Sequence, residues 1–416
     1  MPTSIDLFAG CGGLTRGLEW AGFECIAFNE INKDAADSFA INFPNAIRCD
    51  GDIRKAVSSE VIEQILIPAV GGVGELDLLC GGPPCQGFSG IGHRRTHKVE
   101  KKNIPTNHLY HEMIRTIVHL KPKAFLFENV QGILSGKWDS SGEKGEIFRD
   151  VWESFSSIEG YVSQPTLVHA FGFGVPQNRP RVMIMGIRED IVSSNNLTPS
   201  VFDPSQRIDS YHSQLRNNGG FFSTWEGSSA PDLIDVLSDL DFEGWSADKP
   251  VHRRKPKSEF QINMRSELGE NWRKHQLTDH EFSNHTPRVV EKFTAMHENG
   301  GVIPEHLKTK KFSQKIVPKK WGDTNPSITA CSLPDDYVHY SRPRTFSVRE
   351  WARIQTFPDH HIFCGKRTTG GSRRAGIPSE GIWDREVPKY TQIGNAVPPL
   401  LGKAIGQKII SNIIPK

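Results

Sequence analysis

The stretch Ser4–Leu14, SIDLFAGCGGL, decides how the chain is read. A short apolar run ends in a turn with three glycines, and LTRGLEWAGF (Leu14–Phe23) continues with helical spacing. Strand, glycine turn, helix is the opening unit of a parallel sheet. Gly10, Gly12 and Gly13 allow a tight turn, and equally allow a ligand to approach the main chain. Outward from this unit the alternation persists. ECIAFNEI (24–31), AIRCDGDI (46–53), LDLLCGG (76–82) and AFLFENV (124–130) read as strands. KDAADSFAINF (33–43), VIEQILIPAV (61–70) and LYHEMIRTIVHL (109–120) read as helices between them. YVSQPTLVHA (161–170) and RVMIMGIR (181–188) read as an antiparallel strand pair at the sheet edge. The expectation is an α/β fold with a doubly wound, mostly parallel sheet.

Beyond about Asp190 the pattern weakens. Residues 190–320 are polar, with basic runs VHRRKPK (251–257) and LKTKKFSQKIVPKK (307–320). Order returns at Arg342, is interrupted by GKRTTGGSRRAG (365–376), and ends in an apolar helix that needs a core. Two domains are expected: 1–189 completed by 388–416, and an irregular domain over 190–387. Lys+Arg 50 against Asp+Glu 48 gives a net charge of +2, so partners must be read from local patches. Seven scattered cysteines without a Cys-x-x-Cys pair argue against a zinc site or a disulfide framework. The N-terminus has no signal-peptide pattern and no apolar run reaches the ~18–20 residues of a membrane span. A soluble cytoplasmic protein is expected, with no membrane partner.

The chemistry concentrates in four motifs. The first is the glycine turn, with Glu30 about 20 residues on, where a ribose-binding carboxylate would stand. Asp52-Ile53, after the third strand, suits an adenine edge. No phosphate loop is present, so an adenosyl ligand without phosphates fits better than a nucleotide. The second is LLCGGPPCQGFSGIGHRR (78–95). Cys85 follows two prolines, a poor place for a packed cysteine, although burial is the usual fate of a lone one. Arg94, Arg95 and neighbouring lysines form either a solvated face or a phosphate grip that lowers the thiol's pKa. His93 and His97 have no third ligand, so no metal is expected. The third is FLFENV, which puts Glu128 and Asn129 at a strand's carboxyl end, in the usual crevice of such a sheet. The fourth is VPQNRPRV (175–182), with Gln177, Arg179 and Arg181 at alternate positions, expected to point one way.

DLFAGCGGL, GGPPCQGFS, ENVQG, GVPQNRPRV, RPRTFSVREWARIQTFPD and QIGNAVPP follow one another in this order. Together they resemble the DNA (cytosine-5)-methyltransferases, particularly the bacterial restriction-modification type. The resemblance covers the chain except 190–320 and 364–387. It departs at NIPTNHLY (103–110), where the family tends to show Asp-x-Arg-Asn; Asn107 and Leu109 match, the acid and the arginine do not. The resemblance implies a Rossmann-like S-adenosyl-L-methionine-dependent methyltransferase domain and a target-recognition domain. It implies methyl transfer to C5 of a flipped-out cytosine through a Cys85–C6 adduct. Glu128 matches the acid that holds the base, and Arg181 and Arg179 its basic companions. Phe8, Gly10, Gly12, Leu14, Glu30, Ile31, Asp52, Ile53, Pro83, Asn395 and Ala396 match the cofactor pocket. Gln86, Ser89, Arg94, Arg95 and Gln177 are the DNA contacts this reading suggests. Double-stranded DNA is the implied partner, a cognate restriction endonuclease a functional one, and a monomer the expected state. A tRNA cytosine-5 methyltransferase and a non-catalytic DNA-binding regulator are the alternatives. The long 190–340 segment favours duplex DNA over the first. The presence of Cys85 and Glu128 disfavours the second.

Overall fold

A computed structural model describes residues 1–84, 100–216, 219–308 (without 224, 226, 243, 244 and 247), 314–320, 336–368 and 386–413. Among them, the seven expected strands form one sheet: β1 (Thr3–Leu7), β2 (Glu24–Glu30), β3 (Ile47–Asp50), β4 (Leu78–Gly81), β5 (Ala124–Val130), β6 (Tyr161–His169) and β7 (Pro180–Arg188). Their order is β3-β2-β1-β4-β5-β7-β6. β1 to β5 pair in parallel, and β7 runs antiparallel to both β5 and β6. The chain winds outward from β1 to β3, then returns to place β4 on the other side of β1. This reversal leaves a crevice beyond the carboxyl ends of the strands. Because β7 is antiparallel, its first residues reach the same edge, with Arg181 opposite Val130.

Alternate residues of each strand face opposite layers. Phe125 and Phe127 of β5 join the core built with α3 (Tyr110–Leu120) and α4 (Glu146–Ser156). Leu126 joins the opposite core, with α1 (Gly13–Ala21) and the C-terminal helix α7 (Pro399–Ile413). α2 (Lys33–Asn42) stacks Phe39 on Phe28 of β2. α4 lies outside the predicted helices, although Ile147, Phe148, Val151 and Phe155 mark its buried face. The C-terminal helix α7 packs on α1. A Cβ on Gly17 would stand 2.3 Å from Pro399 O, and one on Gly402 2.9 Å from Leu14 O. Glycine on both helices is therefore what lets α1 and α7 touch backbone to backbone.

The second region has its own core, from Leu233 through Phe260, Leu277, Phe346, Trp351 and Phe357, closed by Tyr390 and Ile393 of α6 (Lys389–Asn395). At its centre lies α5 (Val348–Ile354), started by a capping box between Ser347 and Glu350. Arg353 on this helix is fully buried and bonded to Asp359 (2.5 and 2.6 Å) and Asp239. Apolar residues just beyond 190 pack on the sheet domain. Ile191, Phe221 and Phe222 bury against the α1–α7 side of the sheet, and Phe202, Tyr211 and Leu215 against the α3–α4 side. The polar residues between these anchors hide them from a reading of average hydrophobicity. No helix among the described residues is long and apolar enough to cross a membrane.

Candidate active site

Glu128 lies on β5 near the crevice, with Arg181 on the neighbouring β7. Arg181 Nε stands 2.6 Å from Glu128 Oε1, and both side chains are nearly buried. Burial strengthens the attraction between the two charges. The turn after β4 closes over it: a Cβ on Gly82 would lie 2.9 Å from Glu128 Oε2. Asn129 points to the opposite side of β5 and donates from Nδ2 to Pro83 O at 3.2 Å. One strand end thus carries the carboxylate and, through the next residue, fixes the main chain two residues before Cys85. Cys85, Gln86, Ser89, Arg94 and Arg95 lie outside the described residues.

The glycine turn forms the other half of the crevice. Phe8 (φ 59°) and Gly10 (φ 57°) are both left-handed, turning the chain sharply after β1. A Cβ on Gly10 would meet nothing within 4 Å, whereas one on Gly12 would strike the Phe43 ring at 2.3 Å. Gly10 therefore borders open space and Gly12 borders protein. Glu30 ties the two strand ends together. Its Oε2 accepts from Gly10 N at 2.9 Å and its Oε1 from Asn32 N at 2.8 Å. Ile31 beside it is 70% exposed, an unusual place for isoleucine. Asp52 caps the turn after β3 and is gripped through both oxygens by Arg54 at 2.9 and 2.6 Å, which holds its carboxyl below the usual range. Asn395 is exposed and Ala396 half-buried at the end of α6, and Pro83 is buried at the mouth of the β4 turn.

The structure brings most of the expected residues to this one edge and relocates four. The side chains of Leu14 and Ile53 point into the cores on the two sides of the sheet, so only their main chains remain available at the turns. Arg179 does not share the pair at Glu128; its Nη2 donates to Gly394 O at 2.6 Å. Gln177 is 2% exposed and donates from Nε2 to Gln355 Oε1. The DNA contact expected of Gln177 has no exposed group to make it, because its amide is engaged inside the protein. Asp6 was not among the expected residues. It is fully buried on β1, accepts from Thr15 Oγ1 at 2.6 Å, and burial pushes its carboxyl up to about 7, with Glu30 and Glu128 adding to the rise. An acid inside the apolar run SIDLF is the signal that marks it.

The family model of the C-5 cytosine-specific DNA methylases matches residues 3–411. The chain belongs to this family. The methylase is 32% identical to the type II methyltransferase M.DdeI of Desulfomicrobium norvegicum, over 97% of this chain and 88% of that one. It is 29% identical to the type II methyltransferase M.AgeI of Thalassovita gelatinovora, over 98% of both. Its fold is similar to that of a solved structure described as a DNA modification methyltransferase encoded within an E. coli prophage, with a TM-score of 0.68 and 22% identity over 100% and 99% of the two chains. The methylase is thus a DNA (cytosine-5-)-methyltransferase, and a methyl donor is part of its reaction.

Proposed function

We propose that the methylase transfers a methyl group from S-adenosyl-L-methionine to C5 of a cytosine rotated out of duplex DNA, within a short specific sequence. The observation that carries this reading is the Glu128–Arg181 pair, 2.6 Å apart beneath the Gly82–Pro83 turn that leads into Cys85. A paired carboxylate and guanidinium offer an acceptor and donors side by side, which suits the N3, amino and O2 edge of cytosine.

The glycine-turn half of the crevice fits an adenosyl ligand. Gly10 borders open space, Glu30 is a rigid carboxylate for a ribose diol, exposed Ile31 supplies a flat apolar contact, and Asp52 faces an adenine edge. Phe8, Gly12, Pro83, Asn395 and Ala396 complete the rim, and Leu14 and Ile53 contribute main chain. Bound there, S-adenosyl-L-methionine supplies an electrophilic methyl group. The remaining work falls to the chain's own residues. Cys85, as thiolate, adds to cytosine C6 and moves electron density toward C5. Glu128 accepts a hydrogen bond from the amino group and, protonated, donates to N3, stabilising the ring as charge develops on it, and Arg181 holds Glu128 in place. C5 takes the methyl group, leaving S-adenosyl-L-homocysteine, and loss of the C5 proton to water with expulsion of the Cys85 thiolate from C6 restores the aromatic ring. Gln86, Ser89, Arg94 and Arg95 are the DNA contacts of this reading, and the region 190–387 reads the sequence from the major groove. We place the protein in the bacterial cytoplasm as a monomer that protects host DNA from a cognate endonuclease.

The test is bisulfite sequencing of plasmid DNA from a methylation-free host expressing the chain. The expected result is conversion-resistant cytosines confined to one short motif, and none with Cys85→Ser. No protected cytosine in the presence of folded wild-type protein refutes the reading.

A further inference from the structure

Three buried side chains from the sheet domain and the recognition region meet where the crevice's two halves join. Gln355, 2% exposed, follows α5 at the centre of the recognition core. Its Nε2 donates to Ala396 O at 2.6 Å, and its Oε1 accepts from Gln177 Nε2. Gln177 Nε2 also lies 3.4 Å from Ile354 O. The orientation of the amides is forced. A main-chain carbonyl takes only a donor, so Gln355 must turn its NH2 to Ala396 and its oxygen to Gln177. Two residues along, Arg179 reaches Gly394 O. The next residue of the recognition segment repeats the pattern. Thr356 sits at φ 67°, costly for a β-branched residue, and its Oγ1 accepts from Leu400 N at 3.1 Å. Ala396 and Val397 in turn press on the glycine turn: a Cβ on Gly13 would lie 2.9 Å from Ala396 Cβ and 2.4 Å from Val397 O.

We infer that Gln355 is a positioning residue for methyl transfer. It sets the Gln177–Arg181 segment against Glu128 with one end of its amide and the Ala396 wall of the cofactor crevice with the other. The placement makes the recognition core the common reference for both halves of the site. This rests on the reading of those halves proposed above. No buried volume requires an amide at this point; a leucine fills similar space. What leucine lacks is the simultaneous donor and acceptor.

Three variants separate the two arms. Gln355→Leu removes both, and leaves the Ala396 carbonyl without this donor and the Gln177 amide with only its 3.4 Å contact to Ile354 O. It should weaken S-adenosyl-L-methionine binding and slow single-turnover methylation, each about 10-fold. Gln177→Leu removes one arm, and should slow methylation about 10-fold with the cofactor Kd within about 2-fold of wild type. Gln355→Glu keeps the acceptor for Gln177, but donates to Ala396 O only while protonated. Its cofactor affinity should approach wild type at acidic pH and fall as pH rises, a rescue that mere space-filling cannot produce. Hydrogen exchange of the free protein gives a readout independent of catalysis. Amides from 394 to 400 should exchange faster in Gln355→Leu at unchanged protection of β1 and β5. Wild-type exchange, affinity and rate in Gln355→Leu overturn the inference. So does a Gln355→Glu affinity that parallels wild type at every pH. If Gln355→Leu does not fold, the Gln355→Glu pH dependence and the Gln177→Leu split decide alone. A wild-type protein that binds no S-adenosyl-L-methionine refutes the proposed function instead, and the exchange result still judges the tie.

Discussion

Replacing Asp6 by asparagine should make the protein more stable, and increasingly so as pH rises. Asp6 is fully buried on β1, and burial raises its carboxyl from 3.8 to about 7. The folded state therefore binds this proton more tightly than the unfolded chain does. Its contribution is fully present below about pH 4, where both states are protonated. It is lost as pH climbs through 7, where the folded carboxyl must ionise out of contact with water. A shift from 3.8 to about 7 corresponds to about 4 kcal/mol at 1.36 kcal/mol per pH unit, of which about 2–3 kcal/mol falls between pH 5 and pH 8. Asparagine keeps the oxygen that accepts from Thr15 Oγ1 and removes the titration. Denaturant unfolding of both proteins from pH 5 to pH 8.5 isolates the effect, because groups not coupled to Asp6 cancel in the difference. The stability gap between Asp6→Asn and wild type should widen by about 2–3 kcal/mol across that range. A gap that stays constant with pH shows that Asp6 does not hold its proton near neutrality, and refutes the reasoning.

Glu128→Gln should slow turnover by about 10²-fold or more while calorimetry finds S-adenosyl-L-methionine binding unchanged, since the carboxylate serves the base. Gly17→Ala should destabilise the fold by about 1–3 kcal/mol in urea. The new Cβ meets Pro399 O at 2.3 Å and Lys403 N at 2.5 Å, main-chain atoms that cannot swing aside, and this outweighs the roughly 1 kcal/mol alanine gains as a helix former. Asp359→Asn leaves Arg353 and Arg265 buried beside a neutral amide. It should cost about 3–5 kcal/mol, read as a lower denaturation midpoint together with weaker DNA binding in gel shift.

The sheet was legible because each of its strands is an apolar run closed by glycine or an acid, and the order of helices between them permits little but a doubly wound arrangement. Glu30 and Glu128 were legible for a related reason. A carboxylate at the end of an apolar strand has few structural uses, and both stand on the crevice edge. The 190–230 segment was not, because its anchors, Phe202, Tyr211, Phe221 and Phe222, are separated by serines and asparagines without helical or strand period. They bury against surfaces made by distant parts of the chain. Leu14 and Ile53 show a different limit. Their position in a motif names a place in the pocket, but the turn of α1 and the short helix at Ile53–Ala56 send the side chains into the core.

Alternation along VPQNRPRV led to the expectation that Gln177, Arg179 and Arg181 point to one side, toward their partners. The structure gives them three: Gln355, Gly394 and Glu128. The reason is that β7 begins only at Pro180, so Gln177 and Arg179 lie in the preceding loop and are free to follow separate contacts. Two of those contacts lie on segments more than 170 residues further along the chain. No local pattern encodes a partner at that distance. What the local pattern does encode is the need for one, since a buried amide or guanidinium must be bonded somewhere. The same logic applies to Arg349 and Arg353 in RPRTFSVREWARIQTFPD. Their spacing puts them on one face of a helix buried all round, where only internal acceptors such as Asp359, Asp239 and the carbonyls of Pro358 and His361 make burial tolerable. A run of arginines next to the proposed DNA-reading region invites the idea of phosphate contacts. Burial turns these two inward, and makes them the frame on which Gln355 is held.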